Sequence, residues 1–319
     1  MSSINSEWLR QPMSQMEKTL RLPYVIRITA WNFLNMTAPK WLILFFGLWL
    51  ISRNILVSIL LGFMGSLIWE MFTLRTWYQK TVFPIHQGNM LQIRKMFEEQ
   101  SSYPASKFAS KVEFVAEKSA WSMVQGGYSA LPSWGWEIVF KLLYPFLVLD
   151  KSIPYQNLLI GFNNKTIEAD QKLWEVSQET DIETQRKLLE SYLDEFGSKV
   201  DDWDIALPTL RERPIAIRSL LTLSKFSPSP KSRLESARIK REQSINQLQK
   251  QLRVPKVLFN WLLQIVQQNV ALREDRRYFE FQADYYLRQM LLRLAKLNNI
   301  PEDKLFQISW KEVKHAAQR

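Results

Sequence analysis

Two short runs in this chain carry side chains whose type and spacing suit ligand binding. In the first, Asp202 and Asp204 flank Trp203. Carboxylates separated by one residue in an extended segment project to opposite sides, so the two do not form an acid–base pair on one substrate. Either the run contributes to a ligand site, or its acids cap a helix or pair with Arg211 or Arg213. In the second run, Arg273, Arg276 and Arg277 surround Glu274 and Asp275. At helical spacing Arg273 shares a face with Arg276 or Arg277, which suits a phosphate or carboxylate. Interhelical ion pairing is the competing role. At both runs the structural duty weighs more than the binding one.

Other chemistries are closed off by composition. The chain of 319 residues has no cysteine, which excludes disulfides, thiolate metal sites and a cysteine nucleophile and suits a reducing compartment. It has two histidines, so a multi-histidine metal centre is excluded as well. His86, in a Pro-Ile-His-Gln-Gly run, and His315, near the C-terminus, read as ordinary loop and terminal residues. No glycine-rich, phosphate-cradling loop is present. No catalytic residue, metal site or cofactor is therefore assigned.

The formal net charge of +11 suits an anionic partner: phospholipid, nucleic acid or a phosphorylated ligand. Nucleic acid is not expected, because no zinc-finger spacing or glycine-flanked aromatic signature accompanies the charge. The cations are unevenly placed. One group lies near the N-terminus (Arg10, Lys18, Arg21, Arg27, Lys40), another at Lys231, Arg233, Arg238, Lys240 and Arg241, and Glu168 to Asp204 between them is acidic.

The elements that must position these residues are helices. Nine glycines and fourteen prolines are too few for a turn-rich β-fold, and strand-like alternation is missing. Helical patterns run over Asn89–Glu99, Phe108–Trp121, Thr166–Glu179 and Asp181–Phe196, with Asp181 as an N-cap and Gly197 as a stop. The aromatic stretch Trp134–Asp150 is either core or an interfacial element, and Pro145 should kink it. Beyond a turn at Ser227–Ser232, long helices are expected over Ser232–Arg253 and from Pro255 to about Leu297.

One segment sets a different problem. Between Trp41 and Leu74 only Arg53 and Glu70 are ionisable. A single straight helix of that length would run about 50 Å, against a hydrocarbon core of about 30 Å. A helical hairpin hinged at Ser52–Arg53–Asn54 fits better, either in a bilayer or buried in the fold. Lys40 before it and Arg75 and Lys80 after it would put both ends, and the bulk of the chain, on the cytoplasmic side of a membrane.

From about Tyr155 onward the chain resembles the central helical region of phosphoenolpyruvate-utilising enzymes, the phosphoenolpyruvate synthase-like and rifampicin phosphotransferase-like branch. Four stretches carry the likeness in the family's order: Leu158–Gln178, Phe196–Leu221, Glu235–Gln243 and Leu272–Val313. Asp202 and Asp204 stand at the family's Glu-x-Asp, with one residue missing before them. Ser198–Lys199 replace the family's His-Arg pair, and a serine cannot shuttle protons as imidazole does. The resemblance implies an acceptor-substrate region that works with an ATP-grasp module and a phosphohistidine module, neither expected in this chain.

The expectation is thus an all-α helical bundle with long C-terminal helices and an N-terminal hydrophobic hairpin, divided into residues 1–80 and 81–319. Its expected function is that of a membrane-associated, non-catalytic helical subunit acting with separate catalytic polypeptides. A repurposed membrane scaffold, binding a partner complex through the acidic Glu168–Asp204 surface or the basic Lys231–Lys256 helix, is the alternative. Membrane lipid and a protein are the expected partners.

Overall fold

The structure, a computed structural model, describes residues 13–32, 34–35, 38–52, 58, 65, 73, 76, 78–99, 103, 105–200 and 204–317. For 38, 47–52, 78, 105–106, 127–132, 272–277 and 279 it describes the backbone alone. Among these residues every regular element is helical, apart from an isolated antiparallel bridge between Val148 and Leu252. The all-α expectation holds.

Two long helices form the spine. Helix α4 (Ala105–Leu147) and helix α9 (Lys256–Leu297) have 43 and 42 residues, each about 65 Å long at 1.5 Å per residue. They run antiparallel: Val112 and Ala116 share a core with Leu287, Met290 and Leu294, while Phe140 meets Phe259 with ring centroids 6.4 Å apart. Helix α4 joins the Phe108–Trp121 and Trp134–Asp150 patterns into one element, running through Gly126, Gly127 and Pro132 between them. Pro145 falls in its last turn, and the helix ends at Leu147, where the bridge closes the hairpin against Leu252.

Shorter helices pack on this spine. Helix α1 (Leu22–Asn32), entered through a π-helical turn over Glu17–Arg21, lies along α4. Helix α2 (Ala38–Ser52) follows, and helix α3 (Phe83–Glu98) returns to pack on α4 and α9. A satellite core gathers helices α5 (Lys165–Gln178), α6 (Ile182–Phe196) and α7 (Pro214–Lys225) around Leu173, Val176, Tyr192, Phe196 and Ile217. Helix α8 (Pro230–Leu248), capped by Ser229 and started by Pro230, then leads back to α9. It ends five residues before the Arg253 boundary read from the sequence, and the freed residues make the bridge to α4. Helices α10 (Glu302–Leu305) and α11 (Trp310–Ala317) close the first core, to which residues 16–20 also contribute.

Most of the expected hydrophobic hairpin lies outside the described residues, and its membrane-spanning form is not supported. Helix α2 runs through its first half to Ser52. Among the described residues no helix is long and apolar enough to cross a membrane. In the second half Ser58, Gly65 and Thr73 are helical. A Cβ placed on Gly65 would come 3.0 Å from Leu44 Cδ1 of α2.

Candidate functional site

The segment that leaves α6 is folded back by its own backbone. Gly197 caps α6, Arg211 N–H donates to the Gly197 carbonyl (2.9 Å), and Leu210 N–H donates to that of Lys199 (2.8 Å). Any side chain at position 197 would collide with the Leu193 carbonyl, 2.3 Å from an added Cβ. This is why the helix stops at a glycine here, and why Ser198–Lys199 are held at a fixed place.

That place is a junction of two cavities. The larger, about 950 Å³, opens between α3, α6 and α9, where Arg94, Asp194, Arg211, Tyr278, Tyr285 and Tyr286 line it. The smaller, about 320 Å³, lies between α5, α6 and α9 and is lined by Lys165, Asp170, Tyr192 and Lys199. Ser198 and Tyr278 belong to both.

Several charges around the junction are paired. Arg211 Nη1 donates to Asp194 Oδ1 (2.6 Å) and Arg94 Nε to Glu98 Oε1 (2.9 Å). Lys165 donates to Glu168 (2.7 Å), Lys172 to Glu195, and both ammonium groups lie over the Phe196 ring. Burial, seconded by Glu195, raises the Tyr278 phenol. Burial also raises Tyr285 and Tyr286, the nearby arginines opposing it. These hydroxyls stay protonated and offer hydrogen-bond donors beside apolar rings. The lining of the two cavities combines charged, phenolic and apolar side chains and contains no histidine.

The residues singled out in the sequence fall elsewhere or outside the description. Asp202 and Trp203 are outside the described residues, and Arg273, Arg276 and Arg277 lie on α9 with only their backbone described. Asp204 clamps the N-terminal segment. Its carboxylate accepts from Ser14 N–H (2.6 Å), Ser14 Oγ (2.8 Å) and Ala206 N–H (2.8 Å). His86 is not a loop residue: it sits on α3, buried edge-on against Trp121 with ring centroids 5.1 Å apart. Burial pushes it down to about 4, so it is neutral at physiological pH. His315 lies on α11.

Two buried arginines went unread as site-builders. Arg21, counted with the N-terminal cations, is wholly buried and donates to Glu17 Oε1 (2.6 Å) and Asp284 Oδ1 (2.5 Å). Burial works to lower its affinity for the proton, but Asp284 and Glu17 more than offset this and raise it. Burial in turn raises Glu17, against the pull of Arg21. Arg288 ties the returning segment to α9 through Glu212 (3.0 Å) and the carbonyls of Ile205 (3.1 Å) and Ala206 (2.8 Å). Tertiary partners 83 and 263 residues away define these roles, and no local pattern announces them.

Fold and cavities together describe a helical region that brackets a folded-back loop between two cavities. Residues 178–274 match the profile of the rifampicin phosphotransferase fourth domain, under a third of the chain, spanning α6, the refolded segment, α7, α8 and the start of α9. The likeness to a phosphoenolpyruvate-utilising helical region is therefore present in this part. Most of the Leu158–Gln178 and Leu272–Val313 stretches lies outside the matched residues. No curated protein matches the chain at a significant level.

Proposed function

We propose that this chain is a non-catalytic helical subunit that supplies an acceptor-binding cleft to phosphotransfer modules carried on other polypeptides. The observation that carries the reading is the position of Ser198–Lys199. They replace the family's His-Arg pair, yet they sit where two cavities meet, so a binding site accompanies a missing proton shuttle. Paired cations, phenol donors and aromatic walls in the cleft suit capture and orientation of a molecule rather than bond-breaking. The scaffold alternative loses force at the surfaces it would use. Lys231 of α8 faces Glu175 of α5 (3.6 Å) and Arg233 faces Asp170 (3.9 Å), so the basic and acidic runs partly answer each other.

Tagged chain recovered from its native cells should bring down a polypeptide with a phosphohistidine domain, and the purified chain alone should release neither AMP nor phosphate from ATP. Ser198→Trp, which fills the junction, should abolish transfer by the assembly while leaving the assembly intact. Turnover by the isolated chain would refute the non-catalytic reading; a chain that is always solitary would refute the subunit reading.

A further inference from the structure

The end of the spine remote from the cleft has an unusual surface. Helix α4 buries Phe140 and Tyr144 against α9, but on the opposite side, at four-residue steps, it exposes Ile138, Leu142 and Phe146. Leu149, just past the helix, is exposed as well. On α9 the same inversion occurs: Phe259 and Leu263 face inward, whereas Val257 and Trp261 are exposed, Val257 at 81%. From Val257 to Leu272 the sequence contains no ionisable residue. Single exposed apolar side chains are ordinary, but a run of them on both partners of a helical hairpin is not.

Cations ring this apolar end. Lys141 is exposed between Ile138 and Leu142, and Lys151, Lys250, Arg253 and Lys256 crowd the tip. The tip is fixed by backbone hydrogen bonds, Leu149 N–H to the Gln251 carbonyl and Arg253 N–H to that of Leu147, both 2.9 Å. Among the described ion pairs none involves these five cations, in contrast to the basic run of α8, whose Arg241 donates to the carbonyls of Ile160 and Gly161 and whose Arg238 pairs with Glu242. Asp150, the acid at the tip, accepts from Ser152. Apolar side chains surrounded by unpaired lysine and arginine match the layered chemistry of an anionic bilayer, with acyl chains below and phosphate above.

We infer that the exposed α4 face at this end, Ile138, Leu142 and Phe146 with Leu149, docks side-on to an anionic phospholipid surface, these side chains reaching the acyl boundary while Lys141 and the cations of the tip meet headgroup phosphates; the α9 stripe of Val257 and Trp261 points the other way and stays out of the lipid. The stripe from Trp134 to Phe146 spans about 18 Å, too short to cross a hydrocarbon core of about 30 Å, and its charged tip stays with the headgroups. Contact is thus peripheral and rests on residues other than Trp41–Leu74. It is also independent of the acceptor cleft.

The chain has no cysteine, so Leu142→Cys and, as controls, Val257→Cys on the opposite side of the hairpin and Ile182→Cys on α6 each accept one environment-sensitive dye. With phosphatidylcholine vesicles containing phosphatidylserine, full-length protein should float with the lipid, and the dye at 142 should shift to the blue and brighten severalfold while the dyes at 257 and 182 do not. Lys151→Glu, Arg253→Glu and Lys256→Glu together, all at exposed positions, should lower vesicle binding at least about tenfold, with an unchanged melting curve. Flotation with a silent dye at 142 would overturn the inference and assign the contact to another segment. Equal binding to pure phosphatidylcholine, or a dye shift produced by raising protein concentration without vesicles, would overturn it in favour of a plain apolar contact or a second copy of the chain.

Discussion

The two ends of the spine bury opposite kinds of group. At one end, where α1, α3, α10 and α11 pack on α4 and α9, the interior holds Arg21 and Arg288 with their carboxylates among Leu and Met side chains. At the other, the interior is aromatic and aliphatic (Trp136, Phe140, Tyr144, Phe259), and the cations are left outside. The difference teaches what each end has to do. A buried arginine with several acceptors fixes chain segments that are far apart in sequence, and so it joins the N-terminus and the refolded 204–212 segment to α9. An apolar interior under an apolar exterior specifies less of its own surroundings and leaves a face for something else.

If this contrast is right, removing Arg21 should be the most damaging single change. Arg21→Met leaves Glu17 and Asp284 facing each other without their cation, at a cost of about 4 kcal/mol. Urea unfolding measures it. Adding Glu17→Gln and Asp284→Asn should restore most of the loss, because the penalty lies in the uncompensated carboxylates. At the opposite end Phe259→Ala should cost about 3–4 kcal/mol through a cavity beside Phe140, and no charge change elsewhere should rescue it. Rescue at the first end without rescue at the second would sharpen the comparison; rescue at neither would break it.

How much of this was legible follows the range of the interactions. Local chemistry was: Asp181 accepts from Thr184 N–H (2.9 Å) at the start of α6, Gly197 stops it, and α9 begins one residue after Pro255. The long α4 was not, because Gly126, Gly127 and Pro132 weaken helical propensity and packing on α9 overrides them. Ser198–Lys199 were visible only as a departure from a motif; the cleft around them needs α3, about a hundred residues upstream. The tyrosines at 278, 285 and 286 read as part of one amphipathic helix, and their joint exposure to a cavity depends on which helices cover the rest of it. Arg21 was legible only as one of several N-terminal cations, since nothing nearby in sequence reveals Asp284.

The next effect in size concerns a neutral group at the charged end. His86 has its folded-state affinity for protons pushed down to about 4 by burial, against an ordinary 6.5. As pH falls below 6.5 the unfolded chain takes up a proton that the folded chain refuses, so stability declines and the decline levels off below pH 4. The loss amounts to about 3 kcal/mol. His86→Leu should flatten that part of the stability curve. A slope between pH 6.5 and 4 that is identical in the variant would assign it to carboxylates instead.

The smallest effect belongs to Asp204, and it tests whether the charged end works as a clamp or as a ligand site. Asp204→Ala removes acceptors from Ser14 N–H, Ser14 Oγ and Ala206 N–H, costing about 2 kcal/mol, and Asp204→Asn, which keeps one acceptor oxygen, about 1 kcal/mol. Residues 14–21 should then exchange amide hydrogens faster, while α6 and the cleft keep their protection. Ser14→Ala should reproduce part of the effect, and adding it to Asp204→Ala should cost little more, because both sit on one hydrogen-bond network. Fully additive losses would mean that the carboxylate serves something other than Ser14.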